Sequence, residues 1–155
     1  MPYLQLDIPN RYPVDVKRDL ARRLSDAFAH IMQTTPDLVT VAFRELGEGG
    51  VWGCGGSGPE PAALLSCDIR RGRPREQRAE LAQALIDICV ETLGLRSDRL
   101  VVEFTQHTGD EMYPSRTWLE RGVDPSGGND IRIPINGDDQ RLTHAQIASA
   151  NEVIE

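Results

Sequence analysis

The chain has 155 residues, with 17 Lys and Arg against 24 Asp and Glu, a formal net charge of −7. That balance argues against a nucleic-acid binder, which needs clustered positive charge to neutralise phosphates. A content of 39% hydrophobic and 26% charged residues fits a globular chain rather than a disordered one.

The predicted elements run as follows. Leu4, Leu6 and Ile8 alternate with Gln5 and Asp7, the period of a half-buried strand. A turn at Asn10-Arg11-Tyr12 leads to Pro13, suited to the first turn of a helix. Val16, Leu20, Leu24, Ala27 and Ile31 then share one helical face. Gln33 to Pro36 ends that helix, and Val39, Val41 and Phe43 alternate as a second strand. Seven glycines between Gly47 and Gly58 read as a hairpin and linker, with Val51-Trp52 as a short paired strand. A strand Ala63–Ile69, a turn Arg71-Gly72-Arg73, a helix from Pro74 to about Thr92 and a strand Leu100–Thr105 follow, the helix striped by Leu81, Leu85 and Ile88. After Arg121, Asp124 to Asn129 reads as a loop, Ile131, Ile133 and Ile135 as an edge strand, and Thr143-His144-Ala145-Gln146 as the capped start of a last helix.

The second set of elements repeats the first at an offset of 61 residues: Leu4 meets Leu65, Asp7 meets Asp68, Pro13 meets Pro74, Leu20 meets Leu81 and Phe43 meets Phe104. The expected fold is α/β, two tandem β-α-β units within a single domain over 1–155. The repeats cover 2–58 and 63–120, and a tail covers 122–155. Strand-helix-strand units pair their strands in parallel, giving a four-stranded sheet with two helices on one face. The other face, with Leu64 and Val101 expected in central strands, would be left open, which points to an oligomer. No apolar run is long enough to span a bilayer, and residues 1–7 have neither the basic nor the apolar region of a signal peptide. Three cysteines, Cys54, Cys67 and Cys89, without CxxC spacing, argue against a disulfide framework and a metal site. Cys67 and Cys89 read as core, Cys54 as exposed. The expected compartment is cytoplasmic, with no membrane or nucleic-acid partner.

The repeat isolates one asymmetry: Pro2 starts the first strand, and its counterpart is Ala63. Removal of Met1 would leave Pro2 as a free secondary amine. An α-amino group has a reference pKa of roughly 7.7–8.0, and nearby cations pull it down toward the range useful for proton transfer. Read alone, Pro2 is an ordinary second residue. Likewise, Arg70-Arg71-Gly72-Arg73 read alone is a solvated basic turn.

The start Pro2-Tyr3-Leu4-Gln5-Leu6-Asp7-Ile8, the stretch Val39–Gly56 and the turn Ile69–Arg78 resemble the tautomerase superfamily. Val39–Gly56 and the turn resemble 4-oxalocrotonate tautomerase, while the length, the fusion of two units and the Arg70/Arg73 pair look most like the cis-3-chloroacrylic acid dehalogenase group. The resemblance covers about residues 2–120. It implies a tautomerase-like trimer in which Pro2 is the general base or acid and Arg70 and Arg73 hold a substrate carboxylate. Guanidinium forks suit that task because they bind carboxylates bidentately and stay charged. No cofactor is implied.

Against the dehalogenase group, Phe28 stands at the place of a helix histidine, with His30 two residues on; Glu103 stands where that group has a tyrosine; and Pro114 falls where it has a glutamate. Thr40 replaces an arginine of 4-oxalocrotonate tautomerase. The candidate catalytic residues are therefore Pro2, Arg70, Arg73 and Glu103. Phe28, His107 and Glu111 join Arg70 and Arg73 as candidate substrate-binding residues. The expected reaction is proton transfer in an enol or 2-keto carboxylic acid. The alternatives are hydration or hydrolytic dehalogenation of a small unsaturated acid, with Glu103, Asp110 or Glu111 activating water, and a non-catalytic oligomeric binding protein.

Overall fold

The computed structural model describes residues 2–56, 58–108 and 111; the strand expected at 131–135 and the helix expected from Thr143 lie outside the described residues. Strand β1 (Tyr3–Ile8) leads into helix α1 (Val14–Met32), a single 3-10 turn (Pro36–Leu38) and strand β2 (Thr40–Glu45). A hairpin, β3 (Trp52–Gly55) and β4 (Gly58–Pro61), connects the halves. The second half then gives β5 (Ala63–Arg70), α2 (Arg75–Leu93), a 3-10 turn (Ser97–Arg99) and β6 (Leu100–His107). Each helix has 19 residues, and α2 follows α1 at the same 61-residue offset that the sequence shows. Among the described residues no helix is long and apolar enough to cross a membrane.

The same residues start both helices. Pro13 and Pro74 hold extended conformations, φ −55° ψ 152° and φ −57° ψ 154°. Their carbonyls accept the first helical bonds, from the Lys17 and Arg78 N–H groups, each at 3.1 Å. The prolines thus sit one position outside the helices rather than in their first turns. Both helices end in a left-handed residue, Gln33 (φ 54°) and Gly94 (φ 66°). Glycine takes that conformation at no steric cost, whereas a Cβ makes it costly.

The sheet order is β2-β1-β5-β6. Each half pairs its own strands in parallel, and the halves join through the antiparallel pair β1–β5. The first strand of each half is therefore central and the second is an edge. Val101, expected in a central strand, is instead on edge strand β6 and 59% exposed. The pairing between halves decides this, and that pairing is non-local.

The core lies between one sheet face and the two helices. Repeat mates occupy it together: Leu4 with Leu65, Leu6 with Cys67, Ile8 with Ile69, Leu20 with Leu81, Leu24 with Leu85, Phe28 with Cys89 and Met32 with Leu93. Each fully buried leucine or isoleucine contributes about 1.5–3 kcal/mol through removal from water. The opposite face is largely polar. The Arg44 guanidinium donates through Nε to Asp7 Oδ1 at 2.6 Å and through a terminal nitrogen to Asp7 Oδ2, holding a carboxylate that is only 6% exposed. Ser66 donates to Glu103 at 2.6 Å, and Thr105 donates to Asp68.

Candidate functional site

Pro2 immediately precedes β1, and its carbonyl accepts the Thr40 N–H at 3.0 Å. That bond ties the amino-terminal segment to the start of β2. On the other side, Tyr3 is in register with Asp68 in an antiparallel pair. Continuing one step sets Pro2 against Ile69, next to Arg70. Arg70 in turn is in register with His107. Pro2, Arg70 and His107 thus lie at one end of three neighbouring strands, about 4.8 Å apart per strand step.

Arg73 follows in the loop between β5 and α2. Burial, and next the positive charge of Arg70, lower its pKa from the ordinary arginine value. It lines a groove of about 690 Å³ with His30, Ile31, Gln33 and Gln77. Gln77 Nε2 donates to the Ile31 carbonyl at 2.7 Å and closes the floor between the helices. The groove lining also includes two carboxylates, Glu76 and Glu80.

His107 Nε2 is buried without a hydrogen-bond partner and lies 3.7 Å from Asp68 Oδ1; its Nδ1 is 4.0 Å from a Glu111 oxygen. The Glu111 carboxylate accepts the Thr108 N–H at 2.6 Å. That bond is the main reason its pKa is lowered; Thr108's side chain, His107 and Arg71 add to the effect. Glu111 is therefore an ionised carboxylate beside His107 and a weaker proton acceptor than a free glutamate, suited to accepting a hydrogen bond from water. Among the described residues no group of three or more His, Cys, Asp and Glu side chains is placed to hold a metal ion.

Two expected site residues are placed elsewhere. Phe28 is 2% exposed within the core, packed where its repeat mate Cys89 packs in α2. It is a filler of the sheet–helix interior, because it continues the Leu20 and Leu24 stripe. Glu103 is in register with Ser66, four positions before His107 along β6, roughly 13 Å from that strand's site end at about 3.3 Å per residue. It belongs to the polar sheet face, hydrogen-bonded to Ser66. Asp110 lies outside the described residues. The sequence reading passed over Asp68; its signal was the repeat, which matches it with Asp7, a carboxylate likewise held on the open sheet face.

Comparison with known proteins adds the following. No family model matches the chain. A D-dopachrome decarboxylase of Xenopus tropicalis is 32% identical over 104 residues, covering 67% of this chain and 85% of that protein. A fused 4-OT, solved as a symmetric trimer, superposes with a TM-score of 0.64 at 24% identity, over 73% of this chain and 91% of that one. A member of the cis-3-chloroacrylic acid dehalogenase family gives a TM-score of 0.65 at 19% identity, over 73% and 80%. A macrophage migration inhibitory factor of Toxoplasma gondii gives 0.61 at 18% identity, over 73% and 96%. At such identities the structural likenesses speak to the fold.

Proposed function

From the premise that the chain belongs to the tautomerase superfamily, we propose that it is a keto–enol tautomerase acting on a small 2-keto or enol carboxylic acid. Removal of Met1 leaves Pro2 as a secondary amine. Arg70 and Arg73 bind the substrate carboxylate and position the reacting carbon against that amine. The amine takes the enol proton and returns one to carbon, so proton count is unchanged over the cycle. The cations also favour the neutral amine, and they stabilise the enolate charge that develops between the two transfers. The observation that carries this reading is the register that sets Pro2 against the strand end bearing Arg70 and His107. The reading includes a homotrimer, in which apolar residues left on the open sheet face, such as Val101, would be covered.

The test begins with intact mass, to establish that Met1 is gone. Ketonisation of phenylenolpyruvate and 2-hydroxymuconate is then followed for wild type, Pro2→Ala and Arg70→Ala. Pro2→Ala should lower kcat by about 10²–10⁴, while Arg70→Ala should act chiefly on KM. In wild type, activity should rise with pH through the amine's titration, because the neutral form is the base. Retained Met1 or equal rates in wild type and Pro2→Ala would end this reading and favour a non-catalytic binding protein.

The ionised Glu111 beside His107 favours one second reading, hydration or hydrolytic dehalogenation of a 3-haloacrylic acid. Halide release from 3-chloroacrylate that is lost in Glu111→Gln would support it; no halide release by wild type would remove it.

A further inference from the structure

Two departures from the repeat meet at the groove between the helices. Shifted by 61 residues, Tyr12 falls on Arg73, Met32 on Leu93 and Gln33 on Gly94. In one cleft, where α1 begins and α2 ends, the Tyr12 hydroxyl donates to the Leu93 carbonyl at 3.3 Å and ties the two helices together. Arg23 adds a bond to Thr92 at 2.6 Å and an ion pair with Glu91. In the equivalent cleft, where α1 ends and α2 begins, Arg73 stands in place of that tyrosine. Here the groove is open at about 690 Å³, within the roughly 300–1,000 Å³ of small-molecule sites.

The second departure is Gln33. Its φ of 54° is the only positive φ at a non-glycine among the described residues, and its mate is Gly94. A side chain in that conformation is strained, and strain of this kind collects where the side chain is used. The Gln33 carboxamide stands on the groove lining and has no hydrogen-bond partner among the described residues. Nothing within the described fold therefore offsets the strain.

The groove opens at the Pro2 end of the molecule. From Gln33 the chain runs to β2, whose first N–H, that of Thr40, bonds the Pro2 carbonyl. Arg73 lies three residues beyond Arg70, within about 11 Å along the chain. It is half-buried, its charge opposed by Arg70 and met by no carboxylate among the described residues. The other charges on the lining have the opposite sign: Glu76 in the first turn of α2 and Glu80 in the second. One guanidinium next to the proposed amine and two carboxylates further along the helix suit an acid whose far end is uncharged.

We infer that this groove holds the distal end of the substrate and that Gln33 is its specificity-determining residue, the carboxamide hydrogen-bonding an uncharged polar group of a monocarboxylic acid while Glu76 and Glu80 disfavour a second carboxylate. The inference rests on the tautomerase reading for the near end of the substrate and adds the chemical class of the far end.

The experiment compares 2-hydroxymuconate with its distal monoamide, an isostere that differs by one charge. Wild type should ketonise the amide with kcat/KM about tenfold above that of the diacid, the effect of two opposing carboxylates and one hydrogen bond. Gln33→Gly relieves the left-handed strain, so the fold is kept. It should raise KM for the amide about three- to tenfold, the worth of one neutral hydrogen bond, with kcat little changed. Glu76→Gln combined with Glu80→Gln should narrow the gap between the two substrates about threefold or more. Preference of wild type for the diacid, or a KM for the amide that Gln33→Gly does not move, would overturn the inference. Non-reacting acids separate this result from the reaction itself: the saturated analogues adipamate and adipate are titrated and read by the amide chemical shift of Gln77. Saturable adipamate binding, weakened three- to tenfold by Gln33→Gly, in a protein that ketonises neither enol would end the tautomerase reading and keep the groove assignment. No saturable shift, or adipate bound as tightly as adipamate, would overturn the assignment whatever the activity.

Discussion

In the first half, Asp7 on β1 faces Arg44 on β2; in the second half, 61 residues later, Asp68 on β5 faces Thr105 on β6. The backbone positions are equivalent and both aspartates are satisfied, one by a guanidinium and one by a hydroxyl. Asp68 then stands 3.7 Å from His107, whose equivalent in the first half is Leu46. The comparison teaches that the repeat fixes where side chains stand, while single substitutions decide which end of the sheet carries acid–base groups. The half that follows the turn Arg70–Arg73 supplies His107 and the guanidiniums. The other half places Pro2 at that same end of the sheet.

The largest test of that comparison is in the core. Phe28→Ala should cost about 3–5 kcal/mol in urea unfolding, because it opens a cavity between sheet and helices. Its repeat mate Cys89→Ala should cost only about 1 kcal/mol, on the scale of one buried methylene. Equal costs would show that Phe28 is not the core filler described above.

The helix exits come next. Gly94→Ala places a Cβ in the left-handed region and should destabilise by about 1 kcal/mol, while Gln33→Gly should stabilise by a similar or smaller amount, both read as shifts in the urea midpoint. A destabilised Gln33→Gly would mean that the glutamine side chain has a role its equivalent lacks.

Acid sharpens the comparison further. The Glu45 carboxylate accepts the Tyr12 N–H at 2.7 Å and a Lys17 bond at 3.0 Å, and these hold its pKa below the usual value. Its counterpart, Gln106, does not titrate. A depressed carboxylate contributes stability that is complete above about pH 4.3 and is lost as pH falls through the folded pKa. The melting temperature of Glu45→Gln should therefore trail wild type near neutrality and converge with it in acid. A gap independent of pH would refute the pairing.

The smallest perturbation is chemical labelling. Burial pushes the Cys67 and Cys89 thiols up to about 12, and Cys54 is exposed. Iodoacetamide on the native chain should give a single adduct, at Cys54; rapid modification of Cys67 or Cys89 would contradict the burial of either half's core.

The elements were legible because period-2 and period-3.6 stripes recur twice in step. Phe28 stands four residues beyond Leu24, but the stripe was drawn through Ala27 and Ile31, and the resemblance to a histidine at that place assigned Phe28 to the site; the structure buries it in the core. Strand order was not legible. The β1–β5 ladder joins residues about 60 positions apart, and no local pattern encodes which strands meet. The same ladder sets Pro2 beside the Arg70 end and leaves Glu103 in mid-sheet, so the membership of the site depended on a register that composition and spacing do not carry. The glycine-rich stretch read correctly as a hairpin, since Trp52–Gly55 pairs with Gly58–Pro61.

That hairpin has a consequence for how many bases the molecule can own. It is the one stretch of backbone between the halves, and the cysteines of the described residues are all free thiols, so no crosslink duplicates it. Peptide linkage through it turns the nitrogen of residue 63 into an amide, which cannot accept a proton at any ordinary pH. A chain cut after Ala62, with its second piece beginning at residue 63, would keep the residues of the β1–β5 ladder and of the packing of α1 on α2. It would also acquire a titrating amine at residue 63, at a pocket that Arg96 and Arg99 line. Continuity of the chain is thus what keeps the nitrogen of residue 63 from being a base.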